Sequence, residues 1–207
     1  MNHRLLKGFY VLEGIDGSGT TTQLHRIAEL AVQNDLPLHA TFEPTDSPIG
    51  KTIRLALKGD YPLTQESMAR LFSADRCDHI DNSRHGILSY LERGYKVLSD
   101  RYLFSSLVYQ SLDYSFDTVL SLNQYPLPQV LFYIDTPPEV GIARRAGRDI
   151  EEIYEKSALQ NQIYQAYARV INYFSDSPME TVRIDGTLPQ ERITEIVWSY
   201  IGDMPKI

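Results

Sequence analysis

Cysteine is nearly absent from the sequence. Cys77 stands alone, so no disulfide can close within the chain and no cysteine-based zinc cluster can form. Positive charge is also short: 20 Lys+Arg against 27 Asp+Glu give a net charge of −7, with no basic run to mark a nucleic-acid surface. No apolar stretch approaches the ~18 residues of a membrane span. The N-terminus enters a strand pattern almost at once, without a secretory core. His3, His25, His39, His79 and His85 lack metal-ligand spacing. Nor does any Ser–His–Asp or Cys–His arrangement suggest a protein nucleophile. What remains is a cytoplasmic, enzyme-sized domain with no nucleic-acid or membrane partner expected; its 43 % hydrophobic and 23 % charged composition is ordinary for a globular chain.

One further absence lies inside a motif. Residues 13–21 read Glu-Gly-Ile-Asp-Gly-Ser-Gly-Thr-Thr. The phosphate-binding pattern G-x-x-x-x-G-K-[ST] is met by Gly14, Gly19 and Thr21, but Thr20 stands where the lysine belongs. The flanks support the motif. Residues 8–13 form a short β-rich apolar run, and Leu24, Ile27, Ala28, Leu30 and Ala31 recur at helical spacing, so a helix starts near Thr20. Strand, glycine-rich turn and helix together aim backbone N–H groups at a phosphate.

Further strands are expected at Leu36–Phe42, Lys96–Ser99, Val130–Asp135 and Thr181–Ile184. Helical patterns cover 20–34, 48–58, 64–92, 104–122 in pieces, 137–146, 151–175 and 188–202. Strands alternating with helices imply crossover units and a mainly parallel sheet covered on both faces. Pro126, Pro128, Pro137 and Pro138 bracket the fourth strand, and no linker appears, so residues 1–207 read as a single α/β domain. In such sheets ligands sit beyond the carboxyl ends of the strands. Polar residues cluster there: Asp16, Glu43-Pro44-Thr45, Asp100-Arg101-Tyr102 and Asp135-Thr136. Asp100 has the chemistry to hold Mg²⁺ and Arg101 to clamp a phosphate. Phe72 and Arg76, four apart, share a helix face where a ring and a guanidinium can meet a nucleobase together.

These stretches resemble the thymidylate kinase family. The resemblance rests on Phe9-Tyr-Val-Leu-Glu-Gly-Ile-Asp-Gly-Ser-Gly19, Phe42-Glu-Pro-Thr-Asp-Ser-Pro-Ile-Gly-Lys-Thr-Ile-Arg54 and Leu71-Phe-Ser-Ala-Asp-Arg76. Ser99-Asp-Arg-Tyr-Leu-Phe-Ser-Ser-Leu-Val-Tyr-Gln110 and Leu131-Phe-Tyr-Ile-Asp-Thr-Pro-Pro-Glu-Val140 follow in the family's order, across about residues 8–150. The resemblance implies a three-layer P-loop kinase fold with a five-stranded parallel sheet ordered 2-3-1-4-5, and a homodimer. It implies transfer of the γ-phosphoryl group of ATP to dTMP with Mg²⁺. Phe72 would stack on thymine, with Arg76 and Gln110 on its polar edge and Ser106 nearby, and Tyr109 would crowd the ribose 2′ position. Asp16 would approach the sugar 3′-hydroxyl and acceptor phosphate, which Arg54 and Arg101 would bind beside Glu43. Backbone amides of Gly17, Ser18, Gly19, Thr20, Thr21 and Thr22, together with Gly14, would cradle ATP, and Thr21 and Asp100 would hold the metal.

Two other readings stand beside this one: a kinase for another nucleoside monophosphate, and a catalytically silent nucleotide-binding paralogue suggested by Thr20. The family's lid falls at about 143–153, where Arg144 and Arg148 are spaced i,i+4 and can present two guanidiniums along one face. Arg144 or Arg148, with Arg101, is expected to supply the charge that Thr20 lacks. At least one of Arg144→Ala and Arg148→Ala should then lower kcat with dTMP about tenfold or more, as expected on losing a charged transition-state contact. If neither variant does, the compensation fails.

Overall fold

The sheet follows from strands that are apolar on both faces. A computed structural model of the protein describes residues 4–145 and 157–202. Five strands, β1 (Leu5–Glu13), β2 (Leu38–Phe42), β3 (Lys96–Asp100), β4 (Leu127–Asp135) and β5 (Glu180–Asp185), pair in parallel in the order β2-β3-β1-β4-β5. Along β1, Phe9 and Val11 enter one core layer, while Tyr10 and Leu12 enter the other. Along β4, Leu131 and Tyr133 alternate in the same way with Val130, Phe132 and Ile134. A period of two through a continuously apolar run places half of it on each face, which is why these interior strands read as unbroken hydrophobic segments.

Helices α1 (Thr20–Gln33) and α9 (Gln190–Ile201) cover one face, closing Leu24, Ile27, Ile193 and Val197 over β1 and β4. The other face carries α2 (Pro48–Leu57), α3 (Gln65–Asp81), α4 (Ile87–Glu92), α5 (Leu103–Tyr109), α6 (Phe116–Leu122) and α8 (Ser157–Tyr173). The short helix α7 (Pro138–Arg145) follows β4. Its Gly141 lies against the phosphate loop, so closely that a Cβ there would come within 2.8 Å of the Asp16 carbonyl oxygen.

The structure departs from the sequence expectations at the break in the 64–92 helix and at Pro128. The helical pattern over 64–92 is broken into α3 and α4. Asn82 turns out of the helix and its Oδ1 accepts from the Arg84 amide at 3.0 Å, so a side chain replaces the next helical carbonyl. Pro128 does not lie outside the fourth strand: β4 begins at Leu127, and Pro128 pairs with Leu6 just before an irregularity at Gly8, whose φ is +78°. The pattern over 104–122, expected in pieces, is indeed divided into α5, a 3-10 turn at Gln110–Leu112 and α6.

The loop after β2 is tied down by Asp75 on α3. Its carboxylate accepts from the Thr45 amide (2.7 Å), the Thr45 hydroxyl (2.6 Å) and the Ser47 hydroxyl (2.8 Å). Ser47 in turn caps α2 by accepting from the Gly50 amide at 3.1 Å. A Cβ on Gly50 would lie 1.9 Å from the Thr45 carbonyl oxygen. Gly50→Ala should therefore displace this loop and cost about 2 kcal/mol or more, read as a fall in urea midpoint. An unchanged midpoint would show that the loop does not depend on this close approach.

Candidate active site

Two clefts open beyond the carboxyl ends of the strands. The first encloses about 580 Å³ and is lined by Asp16, Glu43, Phe72, Arg76, Tyr109 and Gln110 among others. The second, about 1040 Å³, is lined by residues 16–23 of the phosphate loop, with Arg144 and Gln190. Among the described residues, only Asp16 and Arg101 line both. A group held in one cleft thus meets a group held in the other at an acid–guanidinium pair.

The inner wall of the first cleft is charged but fully paired. Glu43 ends the β2 segment and accepts at Oε2 from Arg76 Nε (2.9 Å) and Nη2 (2.7 Å). Its Oε1 meets His79 Nδ1 at 2.9 Å. Arg76 also donates to Ser106 Oγ at 3.0 Å and to Asn123 Oδ1, and its guanidinium lies 5.4 Å from the centroid of the Tyr102 ring. Burial pushes the Glu43 carboxyl up, but Arg76 and His79 outweigh it and hold the group below its ordinary value, as an anion. Phe72 lies one helical turn from Arg76 on the same lining. Gln110 is 2 % exposed, and its Oε1 is buried with no hydrogen-bond partner in the described structure. An orphaned acceptor facing a cleft is costly unless something enters to satisfy it.

The second cleft is built on the N-terminus of α1. Gly17 and Gly19 take φ of +84° and +97°, conformations that glycine adopts without strain. The first amides of α1 have no helical acceptor and face an anion site. Thr20 is buried (5 % exposed), so it contributes backbone and hydroxyl but no charge. Arg144 lines this cleft, its Nη2 donating to the Gly186 carbonyl oxygen at 2.9 Å. Arg148 lies outside the described residues. The Thr21 hydroxyl donates to Asp100 Oδ2 at 2.5 Å, while Asp100 Oδ1 is buried without a partner. A hydroxyl and a carboxylate with one free oxygen suit a hard cation that keeps several waters.

Arg101 joins the two halves. Its φ of +72° is unfavourable for a residue with a Cβ. Flanking bonds hold it there: its amide donates to the Leu12 carbonyl oxygen at 2.9 Å, and its own carbonyl accepts from Ser99 Oγ at 2.7 Å. Nη2 meets Asp16 Oδ1 at 2.5 Å, while Nη1 donates to Ser105 Oγ at 3.0 Å and Tyr167 Oη at 3.2 Å. Behind them lies Glu13, fully buried. It accepts from Ser105 Oγ (2.7 Å), Tyr167 Oη (2.8 Å) and the amides of Tyr102 (2.9 Å) and Ser105 (3.1 Å). Burial raises the Glu13 carboxyl, and Arg101 with the Ser105, Tyr167 and Tyr102 bonds offsets part of that rise.

A family model described as thymidylate kinase matches residues 12–196. The chain belongs to the thymidylate kinase family. A putative thymidylate kinase of Treponema pallidum is 40 % identical over 207 residues, covering 98 % of this chain and 99 % of the relative. A probable thymidylate kinase of Methanococcus aeolicus is 37 % identical over 79 % of each chain. The thymidylate kinase of Leptospira borgpetersenii is 34 % identical over 90 % of this chain and 89 % of its own.

The parallel sheet order 2-3-1-4-5 is thus that of a thymidylate-kinase-family chain, as the resemblance implied. Most residues singled out by sequence converge: Asp16, Glu43, Phe72, Arg76, Arg101, Ser106, Tyr109 and Gln110 share the first cleft, and Gly17 through Thr22 share the second. Arg54 is held apart from the lining, its guanidinium bonded to the Pro44 carbonyl oxygen (2.6 Å) and Asp46 (2.8 Å). Glu13, Ser105, Tyr167, His79 and Asn123 were not singled out by role. Tyr167 is far from every motif in sequence, and only the fold brings α8 against Arg101. Tyr167→Phe should remove one of the two links between Glu13 and Arg101, leaving that through Ser105, and lower kcat about three- to tenfold, the scale of one lost orienting hydrogen bond. An unchanged kcat in an ADP-release assay would show that Ser105 and Asp16 alone suffice.

Proposed function

We propose that the protein phosphorylates dTMP to dTDP with the γ-phosphoryl group of ATP. The observation that carries this reading is the meeting of a base-sized cleft and a phosphate-loop cleft at Arg101 and Asp16. Family membership supports the substrate pair. Thymine presents an N3–H donor beside a C4 carbonyl acceptor. Gln110 Oε1 is an unsatisfied acceptor and Arg76 a donor on the same lining, the complementary pair. Cytosine reverses both and would set acceptor against acceptor at N3 and donor against donor at its 4-amino group. Phe72 supplies the stacking face, and Tyr109, 7 % exposed, closes the sugar end.

The reaction needs alignment and charge rather than a protein nucleophile. An acceptor-phosphate oxygen attacks the γ-phosphorus, the bond to the β-bridging oxygen breaks, and ADP leaves. Arg101, forked and fixed, stabilises the transferring group between the clefts, with Asp16 keeping the fork oriented. Arg54 adds positive charge beside Pro44. First-turn amides of α1 hold the donor phosphates. Thr21 and Asp100 would hold Mg²⁺, which would supply positive charge against the charge developing on the transferring phosphates. Arg144, in the phosphate-loop cleft, or Arg148, with Arg101, supplies the cation that Thr20 does not. A cytoplasmic homodimer completes the reading, supported by the family resemblance.

The absence of a lysine at Thr20 favours one alternative, a silent nucleotide-binding paralogue. A coupled ADP-release assay with dTMP, dUMP, UMP and CMP separates the two. The proposal predicts turnover with dTMP, and a kcat/KM at least about a hundredfold above that for CMP, as expected when a polar edge is mismatched. Thr20→Lys should change kcat by less than about tenfold, because the site's charge is already supplied. Binding without ADP release would establish the silent paralogue, and better turnover of another monophosphate would move the substrate assignment.

A further inference from the structure

Arg76 spends nearly all of its donors inside the protein. A guanidinium carries five N–H groups. Here Nε and one Nη2 hydrogen go to Glu43 Oε2, the second Nη2 hydrogen to Ser106 Oγ, and one Nη1 hydrogen to Asn123 Oδ1. A single Nη1–H is left for a ligand. What fixes its direction is the set of acceptors around the other four.

Glu43 is the largest of those acceptors, and it is itself held from behind. His79 on α3 is 6 % exposed and does not line the cleft. Its Nδ1 meets Glu43 Oε1 at 2.9 Å, and because a carboxylate only accepts, Nδ1 carries the proton. Its Nε2 meets Thr41 Oγ1 on β2 at 2.7 Å. The carboxylate is therefore gripped at both oxygens, one by the histidine and one by the arginine. Without the histidine, Oε1 would be a buried anionic oxygen with no partner, free to turn toward the cleft and take Arg76 with it.

We infer that His79 is a positioning residue for base recognition: through Glu43 it sets the one free N–H of Arg76 for the C4 carbonyl of the pyrimidine. It touches neither substrate nor reacting atoms. The inference rests on the dTMP reading above and adds to it the device that keeps a buried arginine selective. Base contacts lie away from the transferring phosphoryl group, so a loosened Arg76 weakens dTMP binding more than it slows the chemical step.

The test uses the full chain with His79→Leu, His79→Asn and His79→Gln. Asparagine places an amide N–H near the Nδ1 position and can still hold Glu43, whereas glutamine reaches toward the Nε2 position. Steady-state kinetics should show KM for dTMP raised at least about tenfold in His79→Leu and His79→Gln, with kcat within about threefold and KM for ATP unchanged. His79→Asn should recover most of the dTMP KM, and the preference for dTMP over dCMP should fall with the rise in KM. If His79→Leu does not fold, the comparison of the two amide variants decides alone. Equal KM values in those two, or a dTMP KM within about twofold of wild type in His79→Leu, would overturn the inference. A wild type that fails to turn over dTMP would instead sink the underlying reading, so the two failures are distinguishable.

Discussion

The ion pair between Arg101 and Asp16 is the constraint on which the rest of the site depends. Arg101 stands between two clefts in a backbone conformation that costs about 1 kcal/mol or more for a residue with a Cβ. It is kept there by the carbonyl of Leu12, by the Ser99 side chain, and by a buried shell of Ser105, Tyr167 and Glu13. Those groups come from four elements: Leu12 and Glu13 from β1, Ser99 from β3, Ser105 from α5 and Tyr167 from α8. The fold is thereby committed to one guanidinium orientation, and the orientation is useful because it faces both clefts. Burial opposes the charge on Arg101, but Tyr109, Asp16 and Tyr167 outweigh it and hold the group cationic.

The same logic recurs at Arg76. Arg101 pairs with Asp16 and is backed by Ser105 and Tyr167, which both donate to the buried Glu13, while Arg76 pairs with Glu43, which His79 holds from behind. Removing one member of such a buried set leaves an uncompensated charge, which is why these networks are specific rather than merely stabilising. Preorganised positive charge is what phosphoryl transfer requires, and under the proposed function arginine would provide it where a lysine on the phosphate loop is absent. Arginine is suited to that substitution because its planar fork holds an oriented charge that a threonine hydroxyl cannot.

Much of this was legible in the sequence, for identifiable reasons. The parallel sheet was readable because β1 and β4 are apolar at consecutive positions, a pattern that only strands covered on both faces produce. The phosphate loop was readable because Gly14, Gly19 and Thr21 keep the motif's spacing, and Gly17 and Gly19 take the positive φ that the turn requires. The split of α3 from α4 was not, because the Asn82 turn is made by one side chain inside an otherwise helical pattern. Glu13, Tyr167, His79 and Asn123 were equally hidden. Their roles arise from contacts between elements up to 154 positions apart, and no local spacing encodes them. For Arg54 the phosphate contact was implied by the family resemblance alone, and its guanidinium is bonded to the Pro44 carbonyl oxygen and Asp46.

The measurement that bears most directly on the account is single-turnover phosphoryl transfer from ATP to dTMP by Arg101→Lys. Lysine keeps the charge but loses the fork that spans Asp16, Ser105 and Tyr167. If oriented charge at the junction of the clefts drives the reaction, the rate of the chemical step should fall by about a hundredfold or more, with dTMP binding weakened much less. A rate within about threefold of wild type would show that charge alone suffices there and would contradict the central claim.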